Sequence, residues 1–247
     1  MSGHSKWHSI KHKKAATDSK RGRVFTRLIK EMTASARMGG GDPDANPRLR
    51  LAVATAKASN MPAENIKRAI MRGTGELPGV SYEDVNYEGY GPGGVAIFMR
   101  VLTDNRNRTV AEIRHVLSKN GGNLGETGCV GWMFDRKGYF VIEKSETDEE
   151  KLLEITLSAG ADDLSEDGDN FEILTPPENF EAVRSALEAE NLPTVVAEIS
   201  MIPQNYVKLE GKSAQTMLKL MEALEEHEDI QNVWANFDID DSEMGQE

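Results

Sequence analysis

The sequence is poor in cysteine and in long apolar runs. Cys129 is its single cysteine among 247 residues, which excludes an intramolecular disulfide and any zinc site built from several cysteines. No apolar run approaches the roughly 18 residues that a membrane-spanning helix needs, and the N-terminus lacks the apolar core of a secretory signal. A basic, serine-containing start also occurs in transit peptides, but here it continues without a break into a helical pattern. We therefore expect a cytoplasmic protein with no membrane partner.

Motifs for catalysis and metal binding are also missing. Neither an H-E-x-x-H nor a G-x-S-x-G sequence occurs. The glycine-rich "EGYGPGG" at 88–94 precedes a strand pattern, so a tight hairpin is favoured over a phosphate-binding loop, which would precede a helix. His4, His8 and His12 stand four residues apart, but the lysines around them oppose a dication and favour simple polar contacts. We predict no enzyme activity, no cofactor and no metal site.

Charge is distributed very unevenly along the chain. The formal net charge is −12, yet residues 1–72 carry a net charge of +11 and the remainder −23. Such asymmetry favours a module that binds a polyanion, carried by an acidic protein. The alternative is a basic module that docks on the acidic remainder, which would leave fewer cations free. We favour nucleic acid as the partner.

The first third of the sequence has helical periodicity. An apolar stripe from Val24 to Ala36 places Arg23, Arg27, Lys30 and Arg37 on the opposite side, where they would form an open row of cations. An alanine-rich helix is predicted over 47–59 with Asn46 as N-cap, and a third helix opens at Pro62 and stops at Gly73. The first 20 residues have weak periodicity and are predicted to form an extended basic arm.

After Pro78 strands and helices alternate. Strands are predicted over 95–102 and 129–134 around a helix at 109–122, and the segment from 139 to 201 reads as β-α-β-β-α-β, the ferredoxin-like order. The predicted fold class is α+β, with an N-terminal helical bundle followed by two ferredoxin-like α/β domains, the third domain being inserted in the second. The expected domains are residues 1–78, residues 79–135 plus 205–239, the inserted residues 136–204, and a tail, 240–247.

Candidate nucleic-acid-binding residues come from the basic module and from "TDNRNRT" (103–109), between a strand and a helix. Arginine is a fork donor suited to phosphate, and asparagine can contact backbone or base edges. The predicted set is Lys6, His8, Lys11, His12, Lys13, Lys14, Lys20, Arg21, Arg23, Arg27, Lys30, Arg48, Arg50, Lys67, Arg68, Arg106 and Arg108.

Several strings together resemble one family. "GHSKW", "KRGRVFTRLIKE", "GGGDPDANPRLR", "DNRNRTVAEIRH", "GGNLG" and "SMIP" are similar to those of the YebC family of bacterial proteins and their mitochondrial relatives. The resemblance runs from residue 2 to about 238. It implies a three-domain fold, no cofactor and no enzyme activity. It also implies either a DNA-binding transcriptional regulator or a translation factor at the ribosome that relieves stalls at proline-rich sequences.

Two partners therefore stay open. For duplex DNA, the cationic arm and helix can neutralise phosphates and release counterions, although no recognition-helix signature stands out. For ribosomal RNA, with ribosome association, a basic arm can enter clefts while the acidic remainder avoids non-specific coating. We expect the first function and keep the second as the alternative.

Overall fold

A computed structural model describes residues 18–240, with side chains described from Gly22 onward. Within this range the chain is a mixed α/β protein with seven α-helices, two four-stranded sheets and one two-stranded sheet. The helices are α1 (Asp18–Gly39), α2 (Pro47–Ala58), α3 (Ala63–Thr74), α4 (Arg106–Lys119), α5 (Glu149–Ser158), α6 (Phe180–Ala189) and α7 (Gly211–Glu225). The strands are β1 (Glu83–Tyr90), β2 (Ala96–Thr103), β3 (Asn123–Leu124), β4 (Phe134–Glu143), β5 (Asp163–Asp167), β6 (Asn170–Thr175), β7 (Val196–Pro203), β8 (Val207–Leu209), β9 (Ile230–Ala235) and β10 (Phe237–Ile239).

The described residues divide into two compact units. One contains residues 18–129 together with Lys212–Val233, and the other contains Val130–Gly211 together with 234–240. No helix among the described residues is long and apolar enough to cross a membrane.

In the first unit, helices α1 to α3 pack around a shared apolar core. The stripe predicted for α1 is confirmed, since Met32 and Ala36 are buried against Leu49 and Val53 of α2. Asn46 caps α2 as predicted, because its Oδ1 accepts from the backbone N–H of Leu49 at 3.1 Å. Its Nδ2 also donates to the carbonyls of Ser35 and Gly40, and this ties the end of α1 to the start of α2.

Gly73 does not end the third helix as the sequence predicted. Helix α3 continues to Thr74, and the left-handed residue after it is Gly75. A Cβ on Gly73 would lie 2.5 Å from the carbonyl oxygen of Thr33, so Gly73 allows α3 to approach α1 closely. The glycine therefore has a packing role in the helix interior.

The sheet of the first unit has the order β3-β1-β2-β9. Strand β1 pairs antiparallel with β2, and the turn 91–94 between them contains two positive-φ glycines, which confirms the predicted hairpin. Strand β1 itself was not predicted, because its sequence "EDVNYEGY" is polar and its first half is mostly exposed. Where a strand was predicted at 129–134, a 3₁₀ turn occupies Gly131–Met133 and the strand begins only at Phe134.

The second unit contains the predicted β-α-β-β-α-β segment. Its sheet has the order β5-β6-β4-β7 with antiparallel pairing throughout, which is the arrangement of two interleaved βαβ units. Helices α5 and α6 cover one face, where the rings of Phe140 and Phe180 stack with centroids 4.8 Å apart. The predicted order of elements is confirmed for this segment.

Candidate nucleic-acid interface

The cationic side of α1 contacts the segment that follows α7. The guanidinium of Arg27 donates to the carbonyl of Glu225 and to that of His227, so it caps the carboxyl end of α7, where carbonyls lack partners within the helix. Arg23 pairs with Glu226 at 3.0 Å. The prediction of an open row of cations on α1 is wrong for Arg23, Arg27 and Lys30, because tertiary contacts with residues about 200 positions away occupy them. The fourth member of the row, Arg37, is exposed.

Asp229 is the buried centre of these contacts. Its side chain is 4% exposed, and Oδ1 accepts from Lys30 Nζ at 2.5 Å. Oδ2 accepts from Thr109 at 2.6 Å and from Arg108 at 2.9 Å. Burial opposes ionisation of Asp229, but the donors, led by Lys30, outweigh burial and hold the pKa of this carboxyl well below its ordinary range. Lys30 and Arg108, both predicted to contact phosphate, therefore neutralise an internal carboxylate.

His227 lies beside Asp229 and has a defined tautomer. Its Nδ1 accepts from the backbone N–H of Asp229 at 3.1 Å, so the ring proton is on Nε2, which donates to Glu112 at 3.0 Å. Ligand atoms of Glu112, His227 and Asp229 lie within 4.8 Å of one another, as in a metal site. However, a metal at Nε2 of His227 would require the ring proton to be on Nδ1, where it would face the backbone N–H of Asp229. Both carboxylate oxygens of Asp229 also already accept hydrogen bonds. The residues do not fit a metal.

These groups line an open polar cleft of about 490 Å³. Carboxylates outnumber cations in the lining of the cleft, and its two cations, Lys30 and Arg108, both form ion pairs with Asp229. The cleft lining is Lys30, Tyr82, Asp104, Arg108, Glu112, His227, Glu228 and Asp229. Its chemistry is that of an ion-pair network that joins α1, α4 and the end of α7, and it offers no uncompensated positive charge to an anion.

A second network occupies Arg48. Glu31 and Asp84 lie between Arg48 and Arg100, and each carboxylate accepts from both guanidinium groups at 2.7–3.0 Å. Although burial lowers the pKa of Arg48, its bonds to Glu31 and then Asp84 outweigh burial and raise that pKa above its ordinary value. Arg48 therefore joins α1 and α2 to the β1–β2 hairpin.

The remaining predicted residues fall into three groups. Arg50 donates to the carbonyls of Pro43 and Asp44, close to its own helix. Lys67, Arg68 and Arg106 are exposed, and within the described part of the chain none of them pairs with a carboxylate. Residues 6–14 lie outside the described residues, and so do the side chains of Lys20 and Arg21, which belong to the start of α1. This group contains Lys6, His8, Lys11, His12, Lys13, Lys14, Lys20 and Arg21.

Other exposed cations lie outside the predicted binding set. Arg37 and Lys57 are exposed near the ends of α1 and α2, and Arg114 and Lys119 are exposed on α4. None of these four pairs with a carboxylate among residues 22–240. Helical periodicity would have predicted the exposure of Arg114, since this residue lies away from the apolar stripe of α4 that contains Ile113 and Leu117.

Comparison with known proteins gives the family. Residues 5–76 match the model of the TACO1/YebC protein N-terminal domain, and residues 82–237 match that of the TACO1/YebC second and third domain. A probable transcriptional regulatory protein of Geobacter sulfurreducens is 60% identical over 99% of this chain and 98% of its own length. Another, from Desulforapulum autotrophicum, is 58% identical over 98% of each chain. The crystal structure of a conserved hypothetical protein from Aquifex aeolicus, 47% identical, superimposes with a TM-score of 0.86 over 96% of this chain and 98% of that one. The chain belongs to the TACO1/YebC family.

Proposed function

We propose that this chain is a transcriptional regulatory protein that binds DNA through phosphate contacts. Relatives that are about 60% identical over nearly their whole length carry the name of probable transcriptional regulatory proteins, which supports a regulatory role. We assign no reaction to the chain. The phosphate contacts are assigned to the basic residues that precede α1 and to the exposed cations of the three-helix module.

The exposure of Lys67 and Arg68 is the main observation that supports these phosphate contacts. Both lie on the exposed side of α3, opposite the buried Ile66 and Ala69, and no carboxylate among the described residues pairs with them. Arg23, Lys30 and other cations of the same module are already neutralised by internal partners. A cation without an internal partner can neutralise a phosphate and release its counterion, whereas one held by a buried carboxylate would first have to break that pair.

We also propose the nested arrangement of domains. The helical module would comprise residues 1–78, and a middle domain of residues 79–135 and 205–239 would be interrupted by residues 136–204. The place of β9 beside β2 in one sheet supports this arrangement. The separate family matches to 5–76 and 82–237 support a boundary near residue 78.

The salt dependence of DNA binding tests the phosphate contacts. The logarithm of the association constant falls with the logarithm of salt concentration by about 0.9 per phosphate contact on duplex DNA. We expect Lys67→Gln/Arg68→Gln to lower the slope by about 2, measured by fluorescence anisotropy with a 30-base-pair duplex. Deletion of residues 2–17 should lower both the slope and the affinity further.

The matched control is Lys212→Gln/Lys219→Gln. These two lysines are exposed on α7 of the same compact unit, so the change in net charge is the same as in the α3 variant. An equal loss of affinity in both variants would contradict the assignment to α3. Crosslinking in cells then distinguishes the polyanions, and recovery of ribosomal RNA in place of DNA would contradict transcriptional regulation by direct DNA binding.

A further inference from the structure

Helix α4 exposes a narrow polar stripe along most of its length. Asn107, Ala111, Arg114 and Ser118 follow one another at helical spacing, and all four are exposed. The first and last are 11 residues apart, or about 16 Å along the axis. The opposite side of α4, which includes Ile113 and Leu117, is fully buried. The helix is therefore held firmly by one face and open along the other.

Acidic side chains beside this stripe already have partners. Glu112 accepts from His227, and Asp104 pairs with Arg108. Arg106, Arg114 and Lys119, in contrast, are exposed without a carboxylate partner among residues 22–240. The helix is thus cationic although residues 73–247 are acidic overall, and its charge is complementary to a phosphate backbone.

The chemistry of the stripe matches that of base edges. Arginine donates two hydrogen bonds to guanine O6 and N7, and asparagine makes two bonds to adenine. Both residue types occur on one side of α4, as Asn107 and Arg114. The exposed imidazole of His115 lies next to Arg114 in the sequence. Ala111 lies between Asn107 and Arg114, and its small side chain lets the helix approach the floor of a groove. The major groove of B-DNA is wide enough for one α-helix.

We propose that α4 is a base-reading helix that enters the major groove, with Asn107 and Arg114 contacting base edges and Arg106 and Lys119 contacting phosphates. This inference rests on the proposed DNA binding. It assigns sequence preference to α4 and general affinity to the cations of α3 and the residues before α1, so the two properties are separable by substitution.

Selection from a library of randomised 30-base-pair duplexes tests the proposal with the full chain. The enriched duplex and a scrambled copy are then compared by anisotropy. We expect Asn107→Ala/Arg114→Ala to lower the preference for the enriched duplex by at least about tenfold, because each bidentate contact discriminates by roughly that factor. Arg68→Ala should weaken binding to both duplexes equally and leave the preference unchanged.

Ala111→Glu gives a second variant that removes none of the polar groups. Glutamate favours helices and position 111 is exposed, so the fold is retained, but its carboxylate would be repelled from the groove. The control is Ala182→Glu, the same change at an exposed position of α6 in the other unit. We expect the preference for the enriched duplex to be lost only for Ala111→Glu, with unchanged circular dichroism for both variants.

Each outcome bears on the proposal. An unchanged preference in the α4 variants, or a wild-type chain that binds duplexes without enriching any sequence, would overturn it and leave the proposed function standing. Enrichment from a parallel library of single-stranded RNA but not from duplexes would overturn both. A wild-type chain that binds neither library would also refute the proposed function, together with this inference.

Discussion

Substitution of Asp229 by asparagine removes the charge around which α1 is held. The Asp229 side chain is 4% exposed and that of Lys30 is 11% exposed, and their charged atoms are 2.5 Å apart. Removal of one partner of a buried ion pair costs about 3–5 kcal/mol, because the other charge stays buried without compensation. The asparagine oxygen can still accept from Thr109 or Arg108, so we expect Asp229→Asn to destabilise the protein by about 3 kcal/mol.

Urea unfolding and amide hydrogen exchange measure this effect. Exchange of the amides in α1 should accelerate more than that of α5, which belongs to the other compact unit. The control is Asp104→Asn, which removes an exposed partner of Arg108 and should change the free energy of unfolding by less than about 1 kcal/mol. If the free energy of unfolding of Asp229→Asn is within about 0.5 kcal/mol of the wild-type value, the buried pair does not hold α1.

The pH dependence has a definite sign. Since the pKa of Asp229 is lowered in the folded state, its contribution is complete above the ordinary aspartate pKa of about 4 and is lost as pH falls through the folded value. The difference in stability between wild type and Asp229→Asn should therefore be constant near neutral pH. It should shrink below about pH 4. A difference that grows on acidification would contradict the ion pair.

Two further predictions concern packing and thiol chemistry. Gly73→Ala should destabilise the three-helix module by about 1–3 kcal/mol, because the new Cβ would lie 2.5 Å from the carbonyl oxygen of Thr33. The control Gly22→Ala, with open space around it on α1, should stabilise the module by up to about 1 kcal/mol. Equal effects of the two substitutions in thermal unfolding would contradict the packing role of Gly73. Burial, and then the charge of Glu88, raises the pKa of Cys129, so the thiolate fraction is low at neutral pH. Alkylation of Cys129 by iodoacetamide at pH 7 should be several-fold slower than that of free cysteine, and an equal rate would refute this environment.

Local patterns were sufficient to predict many of the elements. Helix α2 begins after Asn46 as predicted because a side-chain cap and a first-turn proline act within a few residues. The β-α-β-β-α-β segment was also predicted, since apolar alternation and helical periodicity change clearly along residues 139–201. Strand β1 was missed because a polar, partly exposed strand lacks this alternation. The apolar run at 129–134 was assigned to a strand although most of it forms turns.

The sequence by itself determined the family resemblance, the class of the fold and the separation of charge between residues 1–72 and the remainder. Only the tertiary structure decided which of those charges stay exposed. Periodicity places Lys30 and Lys67 on the polar sides of their helices. It does not show that Lys30 forms an ion pair with Asp229, 199 residues further along, or that Lys67 pairs with no carboxylate among the described residues. A side chain's position on a helix is a local property of the chain, whereas its electrostatic partner is chosen by long-range packing.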